Sequence, residues 1–456
     1  MGSKRVGFRR FQDAALAAPR LTFAALRRGM LPLGPAAVST ARREGVSELH
    51  WKILGDALVR FLRSSGPVLT KIGQVLATRS DLLPETVCLR LEQLYAGQPA
   101  MARSELRRLL RSAYGRRMPF RRFEWAAFAV GSVGQVHRAS LRDGTRVVVK
   151  VLRPGVREAV RRDMNALGVF VDLFFSTLAR KRRAVQPVVS GVLGDLAEAL
   201  KRETDLALEA EAVEAFGQRL ARNPRVRVPR CFRESSTGEV LVLEELEGEP
   251  LSVLRARGAS DPEAARRAAS LALREILSQI FEDGLFHADP HGGNLLVLED
   301  GRLGLVDLGL TGELDGTDRR KIARAVRAFL ARDADATLRS LLEFGAPPPD
   351  FDFGAFKTDL QAVLQKDRRK VLARVTGAQA EEPDTSYRLE DTVDQLLRVA
   401  HRHGIALPTS TTLLIKTLVT IEGVARSLDP EINVVVTAIP IVLRSLTPRW
   451  MRWRRR

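Results

Sequence analysis

His287-Ala288-Asp289-Pro290-His291-Gly292-Gly293-Asn294, followed by Val306-Asp307-Leu308-Gly309, is the stretch on which the reading of this chain turns. Asp289 and Asp307 stand eighteen residues apart, with the amide of Asn294 between them. An acid, an amide five residues on and a second acid before glycine are what a phosphate-bound cation site requires. In that pattern Asp289 orients or deprotonates an acceptor, and Asn294 and Asp307 ligate Mg²⁺. His287 and His291 have the spacing of a helical zinc pair, but Pro290 works against the unbroken helix such a pair needs. Acid plus amide suits the oxygen-preferring Mg²⁺ better.

Such a site needs a lysine for the phosphates and an acid to hold it. Lys150 closes Val147-Val148-Val149-Lys150, a strand-like run behind an Asp143-Gly144 turn. Upstream, Ala129-Val130-Gly131-Ser132-Val133-Gly134 is a small-residue loop whose backbone N–H groups can approach phosphate. It is not a GxGxxG loop, and by itself it reads better as a plain strand turn. Glu203-Thr204-Asp205-Leu206-Ala207-Leu208-Glu209 reads as one helical stretch. At about 100° per residue Glu203 and Glu209 point roughly 120° apart, so Glu209 can face Lys150 while another acid faces elsewhere. Locally the same stretch also reads as a solvated acidic helix. Lys71-Ile72-Gly73-Gln74 lies far upstream, where Gly73 reads as a helix interruption and Lys71 as a surface charge.

Working outward, residues 1–45 form a basic arm. Helical spacing runs from Leu49 to Arg111. Phe120 to Leu152 is strand-rich, Arg157 to Arg222 helical, and Val226 to Leu246 two strands around Ser235-Ser236-Thr237-Gly238. Beyond Gly248 the chain is mostly helical, except for the strand-like pair Leu295–Val297 and Leu303–Val306. Ala346-Pro347-Pro348-Pro349 breaks the helices, and 377–386 is a polar loop. The expected class is α+β: a small strand-rich unit and a larger helical one, joined near Glu244 to Gly248. A cleft between them suits a nucleotide, with Glu244 among its contacts. The expected boundaries are 1–45, 46–118, 119–247, 248–345 and 346–456.

Across 456 residues, 45% apolar and 28% charged content is ordinary for a globular protein, but the net charge of +19 is not. It points to an anionic membrane surface or nucleic acid, or to an arginine-biased surface alone. No zinc finger or RRM is present, and the arginines do not interleave with aromatics, which argues against nucleic acid. The two cysteines, Cys88 and Cys231, rule out a disulfide framework and suit a reducing compartment. Ile432 to Leu443 is too short for a membrane span, which takes roughly 20 apolar residues. The arginine-rich N-terminus lacks the apolar core of a secretory signal but fits an organellar transit peptide. Val6 stands where a myristoylation signal has Ser or Thr.

Taken together, these motifs resemble the UbiB family of atypical protein-kinase-like proteins from about Leu49 to Pro440. The resemblance rests on Lys71-x-Gly73-Gln74 with Thr78 to Pro84, Ser132 to His137, Lys150 with Arg153-Pro154-Gly155, and Glu203-x-Asp205 with Glu209-Ala210. It continues through His287 to Asn294, Asp307, Leu407-Pro408, Glu422-Gly423 and Leu428-Asp429-Pro430. Several positions depart from the family pattern: Gly131 in an otherwise alanine-rich loop, Ala212 for Asn, Gly292 for Pro, Leu308 for Phe, and Leu91-Glu92-Gln93. The resemblance implies a two-lobed kinase-like fold with an N-terminal helical extension. It implies that Lys71 and Gln74 lie over the cleft, with Lys71 near Glu203 or Asp205, a regulatory placement that excludes peptide substrates. It further implies ATP or ADP with Mg²⁺, Glu209 pairing with Lys150, and a role in isoprenoid quinone biosynthesis at membranes, with quinone-biosynthesis proteins or isoprenoid lipid as partners. The alternative is a nucleotide-sensing scaffold without transfer activity. With no spanning helices expected, Trp450-Met451-Arg452-Trp453-Arg454-Arg455-Arg456 is the expected contact with anionic lipid. The expected location is cytoplasmic and peripheral to the inner membrane, or mitochondrial if the N-terminus is a transit peptide.

Overall fold

A computed structural model describes residues 48–64, 67–77, 84–95, 99–176, 194, 197–198, 200–257, 261–331, 333–344, 347, 351–366, 388–405 and 409–446. The basic arm, Thr78 to Leu83, most of Ala346 to Pro349, the 377–386 loop, Leu407-Pro408 and the Trp450 to Arg456 tail lie outside the described residues. The chain divides into two compact units, one from 1–101, 129–135 and 153–201, the other from 102–128, 136–152 and 202–456.

In the first unit, α1 (Glu48–Ser64), α2 (Pro67–Ala77) and α3 (Glu85–Leu91) carry apolar residues at helical spacing. Trp51, Val59, Leu62, Ala77, Val87, Leu91 and Leu94 meet in one core. Gly73 does not interrupt α2, which runs straight through it. A Cβ there would overlap Leu94 Cδ1 and stand 2.7 Å from Leu62 Cδ1, so glycine is needed for close packing. Gln74 is buried, and its Nε2 donates to the Leu94 carbonyl at 2.7 Å. Lys71 is half-buried on the same helix. The Ala129–Gln135 segment belongs to this unit and turns tightly, with Gly131 N donating to Gly134 O at 2.9 Å. Arg153 holds it: its backbone N donates to Val133 O at 2.8 Å and its guanidinium to Gly131 O at 3.3 Å.

The second unit contains α4 (Arg103–Tyr114), then β1 (Phe120–Phe123), β2 (Gly134–Leu141, from Val136 onward) and β3 (Arg146–Leu152). The β2–β3 turn has Gly144 at φ +93°, a conformation glycine adopts without strain. Next come α5 (Leu206–Leu220), β4 (Val226–Arg227) and β5 (Val240–Glu244). One sheet runs β1-β2-β3-β5, with β3 and β5 antiparallel and Lys150 opposite Leu241. Val147, Val149 and Val151 are fully buried, and the two-residue strand period turns Lys150 to the opposite face. Around Ser235–Gly238 the chain folds back on itself, with Cys231 bridged antiparallel to Leu243 and Phe232 N donating to Val242 O at 2.9 Å. β5 joins this sheet, while β4 pairs in parallel with a strand much later in the chain.

The rest of this unit is β6 (Gly248–Pro250), α6 (Leu251–Arg257), α7 (Pro262–Ser278), β7 (Leu285–His287), β8 (Leu295–Leu298), β9 (Leu303–Leu305) and β10 (Thr311–Glu313). α8 (Gly316–Ala331), α9 (Ala334–Leu342), α10 (Phe353–Lys366), α11 (Leu389–Arg402), α12 (Thr409–Leu428) and α13 (Val434–Leu446) follow. A second sheet runs β4-β9-β8-β6, and β7 pairs with β10. Helix α7 is the hub. Asp261 caps its N-terminus by accepting from Ala264 N at 2.9 Å, and Ala265, Ala268, Ala269, Ala272, Leu273 and Ile276 are buried along it. Helices α12 and α13 lie against α7, in a mixed α+β architecture dominated by helix.

Candidate active site

Strand β3, helix α5 and the segment after β9, all in the second unit, bring three charged residues together. Lys150 Nζ donates to both carboxylate oxygens of Glu209, at 2.9 and 2.7 Å, and to Asp307 Oδ1 at 2.8 Å. Glu209 is not on a solvated face. It lies within the buried stripe Leu206, Glu209, Ala210, Val213, Phe216 and Leu220 of α5. Nor is Glu203 to Glu209 one helix: the chain turns at Thr204, and α5 begins after Asp205. The Asp205 side chain accepts from Ala207 N at 3.1 Å and caps the helix that carries Glu209. Glu203 lies half-buried before that turn.

Electrostatics follow from this packing. Burial pulls the Lys150 ammonium down, but the charges of Asp307 and Glu209 outweigh it and raise it well above the usual lysine value. Burial pushes the Glu209 carboxyl up to about 7, against the opposing pull of Lys150. The Lys150 charge holds the half-exposed Asp307 carboxyl far below the usual range.

The acidic motifs are joined by a hairpin. Strands β8 and β9 pair antiparallel, and Val306 N donates to Asn294 O at 3.0 Å, so the strand ends bring Asn294 and Asp307 side by side. Asn294 Nδ2 donates to the Asp289 carbonyl at 3.1 Å, which leaves its Oδ1 available to a cation. Asp307 is the non-glycine residue with positive φ, +54°, among those described. Aspartate tolerates that region better than most residues, and strain of this kind collects at functional sites. His287 is fully buried, and its Nδ1 accepts from Asp289 N at 3.3 Å. Burial lowers its pKa to about 4, so the ring is neutral and acts as a strut for the loop. At Gly292 a Cβ would come within 3.0 Å of Ser252 N, and this glycine lets the loop lie against the start of α6.

Ala129 and Gly131 are exposed and Ser132, Val133 and Gly134 buried within the first unit. A Cβ at Gly131 would make only an ordinary contact, 3.5 Å from Gly134 O, so alanine fits there too. The Glu244 carboxylate is occupied by Arg227 Nη2 at 2.6 Å and Arg230 N at 3.0 Å. One charged residue escaped sequence reasoning: Lys416 Nζ on α12 lies 3.0 Å from Asp289 Oδ1. Its signal was a lone lysine in the apolar run Leu413-Leu414-Ile415-Lys416-Thr417-Leu418-Val419.

Comparison with known proteins places this geometry. The ABC1 atypical kinase-like domain matches residues 93–341, and the UbiB helical domain matches 386–433. A probable protein kinase UbiB of Azotobacter vinelandii is 31% identical over 404 residues, covering 86% of this chain and 70% of that protein. An uncharacterised protein of Synechocystis is 29% identical over 386 residues, covering 84% of this chain but only 63% of its own length. Among solved structures, the erythromycin complex of Rv3197 from Mycobacterium tuberculosis aligns with a TM-score of 0.55 at 23% identity, over 77% of this chain and 85% of that one, and supports the kinase-like fold. The first match contains Lys150, Glu209, Asp289, Asn294 and Asp307, the second contains Lys416, and the chain belongs to the UbiB family of ABC1-type atypical kinase-like proteins.

Proposed function

We propose that this chain is a Mg²⁺- and ATP-dependent atypical kinase or ATPase that works at a membrane surface in isoprenoid quinone (ubiquinone) biosynthesis or related lipid metabolism. The observation that carries this reading is the Lys150–Glu209–Asp307 cluster in one unit with Asp289 and Asn294. Glu209 holds Lys150 ready for the α- and β-phosphates of the nucleotide. Asp289 orients the acceptor hydroxyl, or a water, and takes its proton.

The residues fit Mg²⁺. Asp307 offers a half-exposed carboxylate and Asn294 an uncommitted amide oxygen, an all-oxygen donor set of the kind this ion takes with substrate phosphates. Among the described residues no group of three or more His, Cys, Asp or Glu forms a self-sufficient metal cage, which a phosphate-bound Mg²⁺ does not need. When bound, Mg²⁺ supplies charge neutralisation to the β- and γ-phosphate oxygens.

Support for the membrane surface comes from the net charge of +19, and from Val436 and Leu443, exposed seven residues apart on α13. No described helix is long and apolar enough to cross a membrane. Support for the quinone pathway comes from the name of the Azotobacter relative. The test is ATP turnover by wild type and Asp307→Asn, with and without anionic liposomes and quinone precursors. Turnover that depends on Mg²⁺ and is lost in Asp307→Asn is expected. Saturable nucleotide binding without turnover would instead establish a nucleotide-sensing scaffold.

A further inference from the structure

The catalytic loop carries no lysine or arginine between Asp289 and Asn294. Lys150 does not serve Asp289 here, because its contacts go to Glu209 and Asp307. The ammonium beside Asp289 is Lys416, 3.0 Å from Oδ1, with both side chains about one-third exposed (35% and 36%). Its helix is firmly seated. Leu414 and Thr417 on either side are buried, Thr417 Oγ1 donates to Leu413 O at 2.8 Å, and α12 lies against α7 and β10. The backbone of Lys416 is therefore fixed while its charged end stays open to a ligand.

We propose that Lys416 is a phosphate-binding and positioning lysine of the transfer step, supplied by α12 and directed at the terminal phosphoryl group of a nucleoside triphosphate. This rests on the phosphoryl-transfer reading above. An ammonium has three donors. One stays on Asp289 Oδ1 and another reaches an oxygen of the group in flight. The acceptor oxygen, from a hydroxyl or water, forms the new bond to the terminal phosphorus, and its proton passes to the Asp289 carboxylate. The bond from that phosphorus to the bridging oxygen breaks, and its electron pair leaves on the nucleoside diphosphate. Lys416 offsets negative charge on the transferred group and keeps Asp289 turned toward the acceptor.

The experiment measures nucleotide turnover, nucleotide affinity and thermal unfolding of the full chain as wild type, Lys416→Met and Lys416→Arg. Lys416→Met is expected to lower kcat by about 10²-fold, the scale for losing one donor to a developing charge. Unfolding temperature changes little, because an ion pair this accessible contributes little to stability, and nucleotide affinity falls by less than kcat. Lys416→Arg, which keeps a cation at the same place, restores part of the rate. Wild-type kcat in Lys416→Met would overturn this inference alone. So would an equal loss of rate in Lys416→Met and Lys416→Arg, or a loss of rate matched by a fall in unfolding temperature. A wild type that binds nucleotide without turnover would overturn it together with the proposed function.

Discussion

Replacing Lys150 by methionine removes the counter-ion of a buried carboxylate, and the stability lost will depend on pH. Glu209 is only 3% exposed and Lys150 17%, and both Glu209 oxygens contact Nζ. Removing one partner of a buried pair destabilises by about 3–5 kcal/mol when the other stays charged. Glu209 can escape that penalty by staying protonated. Its folded pKa, pushed by burial to about 7, already lies above the ordinary 4.5 even though Lys150 opposes the shift. Without Lys150 it rises further, each unit being worth about 1.4 kcal/mol. A folded pKa above the unfolded one means that the folded state keeps the proton longer. That stability is fully present below 4.5 and is lost as pH rises through the folded value. The window therefore closes near 7 in wild type and at higher pH in the variant. The deficit of Lys150→Met should be small near about pH 5 and approach about 3–5 kcal/mol by about pH 9. Asp307 adds little, because its side chain is half-exposed. Denaturant unfolding across this range, with the Lys150→Met/Glu209→Gln double variant alongside, measures it. The double variant should recover stability at high pH. A deficit independent of pH, or one that Glu209→Gln deepens at high pH, would refute the reasoning.

Two further outcomes concern the scaffold of the site. Asp205→Ala removes the cap of α5 and should cost about 1 kcal/mol in denaturant unfolding, with Asp205→Asn close to wild type. Gly312→Ala places a Cβ into the Phe286 ring across the β7–β10 pair, just before the catalytic loop. It should destabilise by about 1–3 kcal/mol or more, seen as a lower Tm, and Phe286→Leu in the same chain should recover part of the loss.

Much of this molecule was legible along the chain because the signals are local. The β-branched run Val147-Val148-Val149 marked a strand, and Asp143-Gly144 marked its turn. Strand-like segments at Leu295 and Leu303 were visible as short apolar runs, and they pair as β8 and β9. The strand partners of β4 and β5 were not legible, because pairing is decided by distant segments rather than by either strand's own pattern. Gly73 looked like a break, since nothing local reveals that Leu94 and Leu62 crowd its Cα. Glu209 looked solvated, since only tertiary packing buries the stripe on which it sits. The break at Thr204 was hidden for a related reason: Asp205 is recognisable as a cap only once the helix start is known.

The sequence by itself determined which groups are present and in what order: a strand-borne lysine, a helix acid, an acid–proline–amide loop and an acid before glycine. It also determined the α+β class, because strand and helix periods and turn chemistry are properties of short segments. Tertiary structure alone decided that Lys150 bridges Glu209 and Asp307, that a hairpin sets Asn294 beside Asp307, and that Lys416 reaches Asp289. Those ionic contacts join residues far apart in the chain. Their distances follow from how the sheets and helices bury their apolar faces, and no local pattern encodes them.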